Sequence, residues 1–215
     1  MIKLCSASFL VLALAPAAYA QPDEPYDYGS TWYDPHLATG VGVGVTIGGG
    51  ISGFTDQTMR NALSSDVVGL WDARVSVGTH VPLGIDVSYV GTAANVNAPR
   101  GGTLVGSVAE GALRLNLLPH DVWNPYLFAG IGWQRYDVTG MGSAPTLGAI
   151  SVRGSENLVE YPMGVGISMR DESGWLVDAR GTFRAEPSSS LVRDVTGVEA
   201  SAHWWEASAA IGYEF

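Results

Sequence analysis

Eight stretches of this chain alternate, residue by residue, between apolar side chains and a second set made of glycine, carboxylates and arginine. That period of two constrains the fold more than any other feature. The stretches are 37–51, 69–79, 83–94, 104–118, 125–138, 158–170, 175–185 and 203–215. Successive side chains on a strand point to opposite sides, so the pattern predicts strands with two chemically different faces. From residue 37 onward no helical period and no apolar run of helix-spanning length competes with it. The expected class is all-β.

One face carries Val41, Val43, Val45 and Ile47, then Trp71 to Val77, Leu83 to Tyr89, Leu113 to Leu117, Leu127 to Trp133, Tyr161 to Met169, Trp175 to Phe183 and Trp205 to Phe215, taking alternate residues. None of these is charged. The other face carries Gly40, Gly42, Gly44, Gly164, Gly166 and Gly212 with Asp72, Arg74, Asp86, Glu110, Arg114, Glu160, Arg170, Asp178, Arg180, Arg184, Glu206 and Glu214. The connections alternate too. HVPLG, LPHDVWNP and RDESGW are compact turns, whereas 52–68, 95–103, 139–157 and 186–202 are mostly long and polar. Short and long loops in turn are what up-and-down hairpins give when their two rims face different compartments.

Alternation alone fits a soluble barrel filled with apolar side chains or a membrane barrel coated with them. Two details choose the second. Trp71, Tyr89, Trp133, Tyr161, Phe183 and Trp205 sit on the apolar face where their strands meet a long loop, and Trp175, Tyr213 and Phe215 sit at the opposite rim. Those are two aromatic belts, the mark of a bilayer's two interfaces. The polar face, in turn, mixes glycine with long charged side chains. Glycine weakens a strand exposed to water but makes room inside a narrow lumen. The prediction is an eight-stranded antiparallel up-and-down transmembrane β-barrel over 37–215, both ends on the periplasmic side. Its last strand must pair with its first, because lipid cannot satisfy an open edge.

Ahead of the barrel, MIKLCSASFLVLALAPAAYA has the layout of a signal peptide over 1–20, ending in the small-x-small Ala18-Tyr19-Ala20. Residues 21–36 are acidic and rich in proline and tyrosine, and read as a flexible periplasmic leader. Cys5 and Lys3, the only cysteine and the only lysine, would leave with the signal. Ten arginines then face 21 carboxylates, a formal charge of −11. That excess disfavours nucleic acid as a partner, and the lack of cysteine removes thiol chemistry.

PYLFAGIGW, YPMGVGI, VDARGTF and the terminal IGYEF make residues 37–215 resemble the small outer-membrane β-barrel superfamily of Gram-negative bacteria, typified by the transmembrane domain of outer membrane protein A. The resemblance implies a bacterial outer-membrane location, a lipid partner and delivery by the barrel assembly machinery. It also implies that Ile211, Tyr213 and Phe215 form the terminal signal read by that machinery. The cell-wall-binding domain that can follow such barrels is expected to be lacking.

The lumen charges Asp72, Arg74, Asp86, Glu110, Arg114, Glu160, Asp178, Arg180, Arg184 and Glu206 are the strongest polar constellation, with Asp-Ala-Arg occurring at 72–74 and again at 178–180. Buried charges persist only when paired, so they read as an ion-pair network that fills the barrel. The alternative is a small channel, or a barrel passing hydrophobic compounds sideways into the membrane. An enzyme that modifies lipid A is the third reading, and only His203 with Ser201 and Glu199 offers a base near a nucleophile on the outer side. The sequence lacks the histidine-x-serine signature of lipid A deacylases. His36, His80 and His120 are scattered, so neither metal nor cofactor is expected. GVGVGVTIGGG lacks the Lys-Ser/Thr of a phosphate loop and has a strand's period. The expected protein is a monomeric, non-catalytic barrel with a structural or surface-interaction role.

If Phe215 is both a strand end and an assembly signal, deleting it should reduce folded protein in outer-membrane fractions far more than it reduces stability in micelles. The folded state loses one interfacial ring, about 1–3 kcal/mol by transfer area. Equal losses in cells and in vitro would leave packing as its whole role.

Overall fold

The computed structural model describes residues 40–57, 60, 67–95, 103–139, 146–147, 150–152, 155–186, 192–193 and 203–215. The expected signal peptide and leader lie outside the described residues. Eight long strands, β1 (Val43–Phe54), β2 (Val68–Val77), β3 (Leu83–Asn95), β4 (Thr103–Asn116), β5 (Trp123–Thr139), β6 (Ser155–Arg170), β7 (Trp175–Ala185) and β8 (Trp204–Glu214), form one closed antiparallel barrel. Neighbours in sequence are neighbours in space. The barrel closes where β8 pairs with β1 from Gly44↔Glu214 to Phe54↔Trp204, and the Phe215 and Val43 backbones exchange the last two hydrogen bonds.

The register fixes the barrel's size. Paired residues lead from Val43 to Val77, Ile85, Leu113, Ala129, Met163, Phe183, Trp205 and back to β1 at Gly53. One circuit therefore returns ten residues from its start, between 43 and 53. With strands ~4.8 Å apart and rising ~3.3 Å per residue, eight strands at that stagger tilt by about 40° and enclose a cylinder of about 8 Å radius. Such a lumen holds one layer of inward side chains from each wall.

Every apolar-face residue named from the sequence lies on the outside, exposed or half-buried, with Ile47 at 64% and Leu83 at 62%. The belts are physical contacts: Trp71 lies 5.5 Å from Tyr89, and Tyr213 lies 5.1 Å from Phe215 and 6.3 Å from Trp175. Trp123, expected within a compact turn, opens β5 and is exposed on the outside. Gly40 is the exception on the polar face. It is exposed ahead of β1 with φ +84°, so it lines nothing.

Several boundaries move. β1 runs on to Phe54 and β6 starts at Ser155, taking residues expected to be loop. The extended β5 carries Arg135 and Asp137 on its outer face above Trp133, paired at 2.7 Å and exposed. Two outer connections are more than loops. Thr146–Leu147, Ile150–Val152 and Val192–Arg193 form a separate three-stranded sheet that ties the β5–β6 connection to the β7–β8 connection. At the opposite rim the β6–β7 turn is held by Asp171, whose carboxylate accepts hydrogen bonds from the Ser173 hydroxyl at 2.8 Å and the Trp175 N–H at 2.9 Å. Those donors, the Ser173 hydroxyl above all, hold its carboxyl below the usual carboxylate range.

The inward glycines of β6 have a specific use. Gly166 pairs with Tyr126 and Gly164 with Phe128 across β5 and β6. A Cβ at either position would fall on the ring of its partner. These glycines let two aromatic rings lie flat inside a narrow wall. Gly166→Val should therefore cost at least the ~1–3 kcal/mol of an overpacked core, read as a lowered urea midpoint in micelles. Gly181→Ala, on the outer face with open space at Cβ, is the control and should leave the midpoint unchanged.

Candidate functional site

Among the described residues, polar chemistry is concentrated in the lumen, where it is stacked in layers. At the end opposite the long connections the β2–β3 turn folds into the mouth. Gly42, with φ +67°, allows it, since a Cβ there would collide with Thr79 and His80. The Thr79 hydroxyl donates to Glu214, and His80 Nε2 lies 3.2 Å from the same carboxylate. Arg170 donates to the carbonyls of Thr79 at 3.2 Å and Pro119 at 3.4 Å, and its Nε stands 3.6 Å from Glu214. One guanidinium thus joins two turns to the last strand. Asn116 adds hydrogen bonds from its amide to the carbonyls of Gly78 at 2.8 Å and Val81 at 2.7 Å.

The middle layer centres on Asp178. It accepts from Arg74 at 2.8 Å and from the Tyr126 hydroxyl at 2.8 Å, while Arg74 also donates to Asp72 at 3.0 Å. The guanidinium of Arg114 stacks 3.5 Å over the Tyr126 ring and that of Arg180 stacks 3.4 Å over Phe128. Asp86 lies between them, 3.6 Å from Arg180 and 3.9 Å from Arg114. Cation–π contact gains strength when water is excluded, so the two rings serve as partners that the carboxylates alone do not supply.

In the outer layer one guanidinium serves three carboxylates. Arg184 donates to Glu110, to Glu160 at 2.5 Å and to Glu206 at 2.9 Å. Ser88 donates to Glu110 at 2.6 Å and Thr182 to Glu206 at 3.1 Å, which fixes the carboxylates around it. Above this clamp lie Trp204, Tyr136, Gln134 and Glu186, and then Phe54, Val68 and Leu104. The cavity among them measures about 10 Å³, room for about one water.

All ten lumen residues named from the sequence are buried. Three further charged members complete the lumen. Arg170 and Glu214 had the right parity but no reason to be joined, and Glu186 was assigned to an outer loop. The structure corrects that last placement: Glu186 is 1% exposed because β7 carries its inward parity one step past Ala185. The inward rings of Tyr126, Phe128, Tyr136 and Trp204 were also missed. An apolar ring on the polar parity gives no alternation signal, and only the facing Gly164 and Gly166 hinted at it.

Of the alternative catalytic group, only His203 lies among the described residues. His203 accepts the Glu186 N–H at Nδ1, 2.8 Å away, and its carbonyl accepts the Thr55 N–H at 2.9 Å, so it splices the strand ends. Ser201 and Glu199 lie outside the described residues, as does His36, while His120 is exposed in a turn. Among the described residues no three His, Cys, Asp or Glu side chains group as metal ligands. Ile211, Tyr213 and Phe215 all face outward, Phe215 at 77% exposure.

A closed barrel with an apolar girdle, two aromatic belts and a charged lumen defines an eight-stranded transmembrane β-barrel of the bacterial outer-membrane type. No protein-family model matches the chain, and no curated protein matches it in sequence. Solved structures do share its fold. Ail, the attachment invasion locus protein of Yersinia pestis, is 11% identical with a TM-score of 0.53, covering 82% of this chain and 100% of that one. Neisserial surface protein A is 15% identical with a TM-score of 0.53, covering 82% and 98%. OprG of Pseudomonas aeruginosa is 9% identical with a TM-score of 0.53, covering 83% and 98%. The chain is similar to these in fold.

Removing one partner of a buried ion cluster costs more than the cluster contributes, because the others are left uncompensated. Arg184→Ala should lower stability in micelles by about 3–5 kcal/mol, read from urea unfolding. A variant with wild-type stability would mean that the three glutamates do not depend on Arg184.

Proposed function

We propose that this protein is a monomeric, non-catalytic outer-membrane scaffold whose packed barrel holds its four outer connections at the cell surface for contact with other molecules. Residues 1–20 direct export and are removed, and the barrel assembly machinery receives the chain through Ile211, Tyr213 and Phe215. The observation that carries the reading is the filling of the lumen. Arg74 and Arg180 reach across it to carboxylates on distant strands at 2.8 Å and 3.6 Å, and Arg184 reaches Glu110 on β4, while the periplasmic mouth is closed by Thr79 and Arg170. A barrel built this way is stiff, and a stiff barrel presents its outer loops in fixed relative positions. The tie between 150–152 and 192–193 supports the same use. Elsewhere this fold belongs to a protein named for attachment and invasion and to one named as a surface protein.

One observation favours a second reading, sideways transport of hydrophobic compounds. A cavity of about 300 Å³ lies on the outer flank, lined by Phe54, Gln57, Arg60, Val67 and Trp205. It reaches the lipid-facing Trp205, and saturable binding of a hydrophobic probe to the refolded barrel would favour it. For the scaffold, refolded protein in planar bilayers should give no stepwise conductance at neutral pH. A steady, reproducible conductance step overturns the packed-lumen reading.

A further inference from the structure

The lumen charges do not balance, and the imbalance sits at one end. Glu110, Glu160, Glu186 and Glu206 share the outer layer with a single cation, Arg184. Four ionised carboxylates against one guanidinium would leave a surplus of three negative charges in a region closed to water, which low-dielectric surroundings do not tolerate. Something positive has to make up the difference. Among the described residues the next guanidinium, Arg180, acts on Glu110 from the middle layer but is paired there with Asp86 at 3.6 Å, and no three His, Cys, Asp or Glu side chains group as metal ligands.

Two carboxylates show where the missing charge goes. Glu160 is 0% exposed, and one of its oxygens is taken by Arg184 while Oε2 has no hydrogen-bond partner among the described residues. Glu186 is arranged in the same way. Its Oε1 accepts the Trp204 N–H at 3.0 Å and the Tyr136 hydroxyl at 3.4 Å, and its Oε2 has no hydrogen-bond partner among the described residues. The groups facing Glu186 are Glu160 from β6, Tyr136 from β5, Arg184 from β7 and the His203-Trp204 pair at the start of β8. Those facing Glu160 are Arg184, Glu110, Glu206 and Glu186. Of these, Arg184 is already shared three ways, and His203 spends Nδ1 on the Glu186 backbone.

We infer that the outer end of the lumen is a proton-binding site, in which Glu186 and Glu160 carry protons in the folded barrel at neutral pH and complete the charge balance that Arg184 begins. The ligand is the proton itself, taken from solution as the barrel closes. Each carboxylate gains one proton at Oε2, the surplus falls from three charges to one, and no bond other than O–H is made. The position of Glu186, beyond the end of β7, fits this. Burial first, and the charge of Glu160 second, hold its carboxyl up to about 9. The inference rests on the packed-lumen reading, but the two fail separately: conductance tests the packing, and the measurements below test the protons.

A raised carboxyl in the folded state makes folding take up protons. The stabilisation is full below the ordinary carboxyl range and is lost as pH rises through the folded-state value, here about 9 for Glu186. Between about pH 6 and about pH 9 the folding constant of the refolded barrel should fall by about tenfold per pH unit for each proton bound. Glu186→Gln keeps the acceptor for Trp204 and Tyr136 but cannot ionise, so its slope should be shallower by one proton and its stability at high pH should exceed wild type. Glu160→Gln should act in the same direction. A second measurement needs no variant and no unfolding. The infrared spectrum of the folded wild-type protein at neutral pH should show a carboxylic-acid carbonyl band that disappears on raising the pH. Absence of that band overturns the inference, as does a folding constant flat over this range or a slope both variants leave unchanged. Protection at high pH by calcium, at concentrations too low to alter ionic strength, also overturns it by placing a metal ion where the proton is assigned.

Discussion

Hydrocarbon offers a backbone no hydrogen bonds, so every N–H and C=O of a membrane-crossing strand must find its partner in a neighbouring strand. For eight strands this leaves closure as the solution, and closure sets the rest. β8 must reach β1, the register must return with a whole-number stagger, and the ten-residue stagger seen here fixes tilt and radius together. The radius then dictates the interior. A cylinder of this size is too narrow to stay wet throughout and too polar in sequence to be filled with aliphatic side chains, so it is filled with charges that complete one another.

The filling has its own cost structure. A buried ion pair contributes little net stability over an apolar pair, but a broken one is severely destabilising. The lumen of this barrel is therefore specific before it is stable: Arg74, Arg180 and Arg184 tolerate one arrangement of carboxylates and penalise others. Their stacking on Phe128 and Trp204, at 3.4 Å and 4.7 Å, adds a shape requirement to the charge requirement. Glycines opposite the rings are the counterpart of this crowding. The same logic makes the two ends different. The end at the β2–β3 turn is closed by backbone turns drawn in by Arg170 and Asn116, whereas the opposite end is closed by side chains, Glu160 and Glu186 among them.

Much of this was legible in order along the chain. Strand existence, face assignment and the aromatic belts follow from a period of two, which is a local property that neighbours in space cannot alter without turning every side chain to the wrong solvent. The alternation of Val43, Val45 and Ile47 with glycine decided which side of β1 meets lipid whatever the partner strand was. Where the reading slipped, the signal was not local. Glu186 looked like loop because proline and serines follow it, and the inward Tyr126 went unnoticed because an apolar ring on the polar parity carries no alternation signal.

By itself, then, the sequence determined the class of solvent, the number of strands, their order and the inward direction of the charged side chains within the strands, because each of these depends on one residue's parity relative to the next. Only the tertiary structure decided which charge meets which. Asp178 sits two residues from Arg180 in the chain but accepts from Arg74 at 2.8 Å across the barrel, and Arg184 gathers Glu110, Glu160 and Glu206 from three other strands. Those partnerships depend on stagger and radius, which are properties of the closed cylinder. The local excess of carboxylates at its outer end exists only once the strands have been brought round to meet.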